Sequence, residues 1–544
     1  LGGPDDAMRL VEVRRLLAGQ AYFDLLEPRL GFDGYLTHWS RLVDLGLAGS
    51  IKLFSAFVDR DQAELLTREF WPFPFLAMMM FAQTAIAFSL GGQQAAKVAA
   101  LLGSACLPGF AHFLPGAIDH HHVQAGLCAA AISLMVRGVS SPRAAGWAGI
   151  LVATLLGIGL ESLALVGVGA SVMAVAFVRD GSRAPQVRCF ALMLAAATAA
   201  IFVATVTPWR WRAVVCDSLA INIVVLVTLA GLGLAVATLV AHRGLLTRLA
   251  ATSVAATIAV SGYLIIDPAC ALGPFAHVNP ALWPLWLDHV TELQSIAALA
   301  GRAPGIAAFY AAFPLVGITA AIALLRRAQP PELLLIVAVF ATACLIAALM
   351  VRAEVYANWF AVPLVATALA DWLSRRPAWS LLRKATVVAA AAPLTCSTVA
   401  LMVLNAGMES SQAETVRGDA MQSCFANAAY RSLARLPPGL VLSHMDIASH
   451  VLALTPHRVV MAPYHRLDRD ILFALRLFVG PTDAAAAQLR NAHIDYVVDC
   501  PPLNLAAAHP KSFRTALVTD NAPDFLEPVA PGEGSPLLIW RVHQ

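Results

Sequence analysis

Charge is what this sequence has least of. Asp, Glu, Lys and Arg make up 13% of its 544 residues, where a soluble domain carries about 25%. The balance is nearly neutral, a formal +3, so no strongly basic face argues for nucleic acid. The nine cysteines are scattered and form no CxxC pair, which excludes a zinc ribbon or a thioredoxin-type motif. Internal repeats and low-complexity linkers are also missing.

What is there is hydrocarbon. The apolar set reaches 59% and the mean hydropathy +0.70. Apolar runs long enough to cross a bilayer recur through the first three quarters of the chain, the mark of a multi-span membrane protein. The runs predict spans at 72–90, 98–114, 122–136, 144–160, 163–178, 189–207, 219–241, 249–267, 305–325, 333–351, 356–373 and 385–404. Residues 1–71 are mixed and moderately polar, and from 405 the chain is polar again. These changes divide it into an N-terminal loop (1–71), a membrane region (72–404) with a long loop at 268–304, and a C-terminal domain (405–544).

Arginine sets the orientation. The alternate loops RGVSSPR, RDGSRAPQVR, HRGLLTR, RRAQPPE and SRRPAWSLLRK are basic and fall on one side, which the positive-inside rule makes cytoplasmic. Arg210 and Arg212, in loop 208–218, are a mild exception on the other side. The segment 1–71, the loop 268–304 and the C-terminal region are then expected outside. An external start also calls for one further span before residue 1, thirteen in all, since twelve are visible. In the C-terminal region GLVLS, HRVVMA, IDYVVDC and PLLIWRV read as strands around the helical DIASHVLAL, an α/β domain with a parallel or mixed sheet. Most cysteines read as buried free thiols, whereas Cys424 and Cys500 lie in polar sequence and can pair in an oxidising compartment.

The expected external face collects ionisable residues. Asp5 and Asp6 lie in PDDAMR, Asp119 to His122 in PGAIDHHHVQ, Glu292 in VTEL, and Arg352 in RAEVYANWFAVP. Such groups are costly in hydrocarbon and cheaper at its rim. Carboxylates and an imidazole converging there suit Mn²⁺ or Mg²⁺, while a His-rich set favours Zn²⁺. Neighbours on a helix point about 100° apart, so the three histidines cannot share one ion. Asp119 and His121 can do so from a helix entry, with Asp119 as an N-cap. Each residue also has a plainer reading. Asp119 is then only a cap, Glu292 a solvated face, Arg352 a snorkelling span end, and Glu161 in GIGLESLAL a turn between spans.

The order of these elements resembles the catalytic subunit of the oligosaccharyltransferases, within the GT-C superfamily. The resemblance implies a GT-C membrane fold with an extracytoplasmic α/β domain. It implies metal ligands at Asp5 or Asp6, Asp119 and His121, a catalytic role for Glu292 or for Asp5 or Asp6, with Glu292 also a metal-ligand candidate, and Arg352 on the donor pyrophosphate. The family's WWDYG motif is absent. Its place reads HMDIASHVL, where Asp446 matches the motif aspartate, and His465 and Arg466 in APYHR are further candidates for acceptor or phosphate contact.

The expectation is a glycosyltransferase of the bacterial inner membrane with its site on the periplasmic face. It would move a sugar from a polyprenyl (pyro)phosphate donor to a glycan, lipid or protein acceptor with Mn²⁺ or Mg²⁺. A protein N-oligosaccharyltransferase is the enzymatic alternative. A proton-coupled transporter or flippase, with Asp119 and the histidines as relays, is the other. Ionisable residues clustered at one face, without a repeat, favour the enzyme.

Overall fold

A computed structural model of the chain describes residues 2–405 and 420–543, apart from 504, 506–508, 520 and 533. Long apolar runs have one way to satisfy their backbone in lipid, and they take it by forming helices. Among the described residues seven helices are long and apolar enough to cross a membrane. Side chains such as Phe81, Leu246 and Ile265 stand exposed around them, as lipid-facing positions do. The chain is a polytopic helical membrane protein with a small C-terminal sheet domain.

Two expected spans take an unexpected form. Residues 72–90 and 98–114 belong largely to one helical element, Pro72–Ser104, broken at Gly92 with φ 70° and ψ −160°. Run straight, its 33 residues would extend about 50 Å. Yet its flanks meet: the Gly116 amide donates to the Arg68 carbonyl at 2.9 Å, and the His122 ring lies 5.5 Å from Phe75. Gly91 lies against Thr367, while Gly103 packs on Trp359, two turns back along the helix Glu354–Ser374. The element therefore reverses at Gly92, where a positive φ needs glycine. The two runs form the arms of a hairpin, and the second α-helical arm ends at Ser104 and continues as a 3₁₀ turn, Leu107–Phe113. The expected span 385–404 is also broken, into Leu381–Ala390 and Pro393–Asn405 bent by 54°.

The C-terminal sheet has five strands in the order Arg458–Val459, Leu440–Ser443, Tyr496–Asp499, Leu538–Val542, Leu526–Val529. The first three are parallel and the last two join antiparallel, a mixed sheet. The strand Leu526–Val529 carries exposed Glu527 and Pro528 and has no apolar alternation to announce it. At the opposite edge Val459 exchanges backbone bonds with Arg29 and Gly31, so the N-terminal segment covers that edge. Met8, Val11, Tyr35 and Trp39 from that segment enter the domain's apolar core, as do Val278, Leu282 and Leu287 from the 268–304 loop. Three segments far apart in sequence are thus held at one end of the bundle.

Two disulfides form. Cys424–Cys500 is the pairing the polar C-terminal sequence allowed. Cys216–Cys270 corrects the free-thiol reading of those two residues, for it joins the loop before Ile221 to the loop after Ile266. The other five cysteines are free. Non-reducing digestion with mass spectrometry is expected to recover two linked peptide pairs, 216–270 and 424–500. An alkylatable thiol at Cys216 in the untreated protein would contradict this arrangement.

Candidate active site

The first helix, Pro4–Leu17, begins with proline at its first position and two aspartates in its first turn, where the helix dipole favours them. The two aspartates do different work. Asp6 accepts from the Gly3 amide at 2.9 Å on Oδ2, and from the Ile118 and Asp119 amides at 2.7 and 3.1 Å on Oδ1. Both its oxygens are committed to backbone. Burial, and then the nearby Asp119 charge, push its pKa up to about 7. Asp5 is turned elsewhere, with Oδ2 3.7 Å from His121 Nε2.

The DHHH turn lies against this helix start. Asp119 Oδ1 accepts from the His121 amide at 2.8 Å, and the helix His121–Gly138 begins there, with His120 rather than Asp119 in the capping position. Asp119 also lies 3.5 Å from His122 Nδ1. His122 itself is fully buried between Phe75 and Phe113. His120 and His121 face the other way, towards Glu161 in the turn between the helices Pro142–Ile158 and Leu163–Arg179.

Glu161 is the hub. Its Oε1 lies 2.6 Å from Arg352 Nη2, 3.0 Å from His121 Nδ1 and 3.7 Å from His120 Nε2. Burial would raise the Glu161 carboxyl, but Arg352, and then His121, hold it well below the usual carboxylate range. Arg352 Nη2 also lies 2.7 Å from His121 Nδ1, so the guanidinium and the imidazole share the one carboxylate between them. On its other side Arg352 Nη1 is 3.5 Å from Glu292 Oε2. The Val351 amide donates to the Gln294 carbonyl at 2.9 Å, which fixes that loop beside the arginine. Asp5, His120, His121, Glu161, Glu292 and Arg352 are therefore assembled in one cluster.

Other candidates fall outside it. His465 Nε2 and Arg466 Nη2 grip Asp217 at 2.7 and 2.6 Å, tying the C-terminal domain to the disulfide-linked loop. Asp446 is half exposed, and its one ion pair among the described residues is with His444 at 3.7 Å. Sequence reasoning passed over Glu161 as a turn residue and missed Asp217 altogether. The signal for Glu161 was available, since the alternation of spans puts it on the same face as the DHHH turn.

The donor set fits a divalent ion. His120, His121 and Glu161 offer ligand atoms all within 4.8 Å of one another, and His120 Nδ1 is buried with no hydrogen-bond partner among the described residues. Cys216, Asp267, Cys270 and His277 also cluster, but their two sulfurs are bonded to each other.

No protein-family model matches the sequence, and no curated protein does. Solved structures do match. Archaeal oligosaccharyltransferase AglB from Archaeoglobus fulgidus, in complex with an inhibitory peptide and a dolichol-phosphate, superposes with a TM-score of 0.65 at 13% identity. The match covers 92% of this chain and 66% of that one. The chain therefore shares the fold of the Archaeoglobus fulgidus oligosaccharyltransferase. The Archaeoglobus fulgidus oligosaccharyltransferase complexed with Zn and sulfate gives 0.58 at 14% identity, over 92% of this chain and 64% of that one. The form tethered to an acceptor peptide containing the NVT sequon gives 0.56 at 15%, over 92% and 65%.

Asp6→Ala is expected to release the Ile118 and Asp119 amides. Their hydrogen exchange should rise at least about tenfold, the equivalent of 1.4 kcal/mol or more. Unchanged protection would show that the carboxylate does not hold the turn.

Proposed function

We propose that the chain is a membrane glycosyltransferase. It moves a sugar or oligosaccharide from a polyprenyl (pyro)phosphate donor to an acceptor on the extracytoplasmic side of a bacterial inner membrane. The observation that carries this reading is Arg352, 28% exposed, set between Glu161 and Glu292 beside a carboxylate–imidazole donor set. A cation next to a metal-type site, at the domain-bearing end of a helical bundle, suits a lipid whose tail stays in hydrocarbon and whose phosphate lies at the rim. The shared fold supports the reading, since the Archaeoglobus fulgidus oligosaccharyltransferase structures hold a dolichol-phosphate, Zn and an acceptor peptide.

The chain's own groups divide the work. An entering phosphate takes the Arg352 guanidinium from Glu161 and Glu292, with the planar fork bonding two oxygens at once. Asp5, Asp119, His120, His121 and Glu161 are the residues that would hold a divalent ion. Two imidazoles beside carboxylates suit Zn²⁺ or Mn²⁺ better than Mg²⁺, which prefers oxygen alone. Such an ion, when bound, supplies Lewis-acid polarisation of the phosphate oxygens.

In transfer the acceptor's nucleophilic atom bonds to the anomeric carbon as the C–O bond to the phosphate breaks, and that bond's electrons stay on the phosphate, where Arg352 balances the charge. Glu292 is more than half exposed and stands on the far side of Arg352, so it is placed to orient the acceptor or accept its proton. Asp6 acts through position, by fixing where Asp5 and the DHHH turn meet. With HMDIA in place of the WWDYG motif, an acceptor other than a sequon peptide fits the C-terminal domain better.

Asp119→Ala and Glu161→Gln are each expected to lower metal-dependent transfer from a polyprenyl-linked sugar by about 100-fold or more. Full activity in a chelator-treated wild type would contradict the metal assignment.

A further inference from the structure

A second site opens beside the cluster. The N-terminal segment, the loop before Ile221, the loop after Ile266 and the C-terminal domain enclose a cleft of about 880 Å³, a volume typical of ligand sites. Its frame is tied together from three sides. Asp217 is gripped by His465 and Arg466, the adjacent Cys216 is bonded to Cys270, and the N-terminal segment pairs with the sheet edge at Val459. The cleft adjoins the candidate active site through a row of rings. His465 lies 5.0 Å from His38, His38 lies 5.9 Å from Trp39, and Trp39 lies 5.6 Å from His120.

The lining is mixed in charge. Asp33, Asp217, Asp468 and Asp470 face Arg210, Arg466 and Arg469, so four carboxylates meet three guanidiniums. Asp33, Asp470 and Arg210 form no ion pair with any described residue, although all three border the same space. Phe32 and Phe473 pack edge to face at 5.3 Å and give one wall an aromatic patch. A cationic ligand would meet Arg210, and an anionic one would meet Asp33 and Asp470. A neutral polyol suits both, because each hydroxyl gives one hydrogen bond and accepts others. Its C–H faces can lie on aromatic carbon.

We infer that this cleft binds the glycan of a carbohydrate acceptor, an inference that rests on the glycosyltransferase reading above and names its second substrate. The cleft opens to water and borders the loop that carries Trp209, which is 74% exposed, so the glycan is either free or lipid-borne.

The test uses the full chain in nanodiscs, labelled and applied to an array of bacterial-surface oligosaccharides, each displayed both free and as a glycolipid. The wild type is expected to retain a subset of these glycans. The Asp33→Ala/Asp470→Ala variant, and separately Arg210→Gln on the facing wall, should lose at least tenfold of that signal while still binding undecaprenyl phosphate. Signal on the free arm identifies a soluble acceptor, and signal confined to the lipid arm identifies a membrane-borne one. A wild type that binds no glycan, variants that bind as the wild type does, or capture of Arg- and Lys-rich peptides in place of glycans would overturn the inference. If the wild type binds glycans but not undecaprenyl phosphate, the cleft stands and the donor reading fails.

Discussion

Much of this structure depends on one buried carboxylate. Asp6 lies where burial disfavours its charge, and it is held there by amides from its own helix start and from the turn that enters the His121–Gly138 helix. A carboxylate accepting several backbone N–H groups acts as a bolt between two chain segments. The bolt sets the direction of the first helix, and that direction presents Asp5 to His121. It also seats the Met8 and Val11 face of the helix in the C-terminal core. The Tyr464 hydroxyl donates to the Pro4 carbonyl at 3.1 Å, so the helix start is wedged between membrane bundle and domain.

The cluster around Glu161 follows from the same scarcity of charge. Hydrocarbon excludes ionisable groups from the middle of the bundle, so the few that exist gather where water and counter-charge are available. Arg352 is satisfied by Glu161 and Glu292, two acids from different segments. That arrangement is stable without a ligand, yet it leaves a guanidinium that an incoming phosphate can claim. The proposed donor site is in this sense a stored ion pair, and its partial exposure keeps the cost of exchange low.

How much of this was legible in the sequence depended on the kind of signal. Apolar runs marked the helices of the membrane region, of which seven among the described residues are long and apolar enough to cross a membrane, and Gly92 folds two of the expected runs into one hairpin. The DHHH turn was visible because polar residues are conspicuous between apolar runs. The choice between Asp5 and Asp6 was not, since neighbouring aspartates differ only in which way a helix turns them. Glu161 was hidden by being one carboxylate in a short turn. Its importance comes from Arg352, nearly two hundred residues away. Asp217, Cys216 and Cys270 were missed for the same reason, because their partners lie in other loops. His465 and Arg466 were found as charged residues after a strand, and the structure gives them to Asp217 rather than to the cluster.

The central claim is that Arg352 and its neighbours receive a polyprenyl phosphate. Native mass spectrometry of the protein released from membranes tests it most directly, by identifying the lipid that stays bound. The account predicts a polyprenyl phosphate, or its sugar-linked form, on the wild type and its loss from Arg352→Ala. Ordinary phospholipid alone on the wild type, or a polyprenyl lipid retained equally by Arg352→Ala, would contradict it.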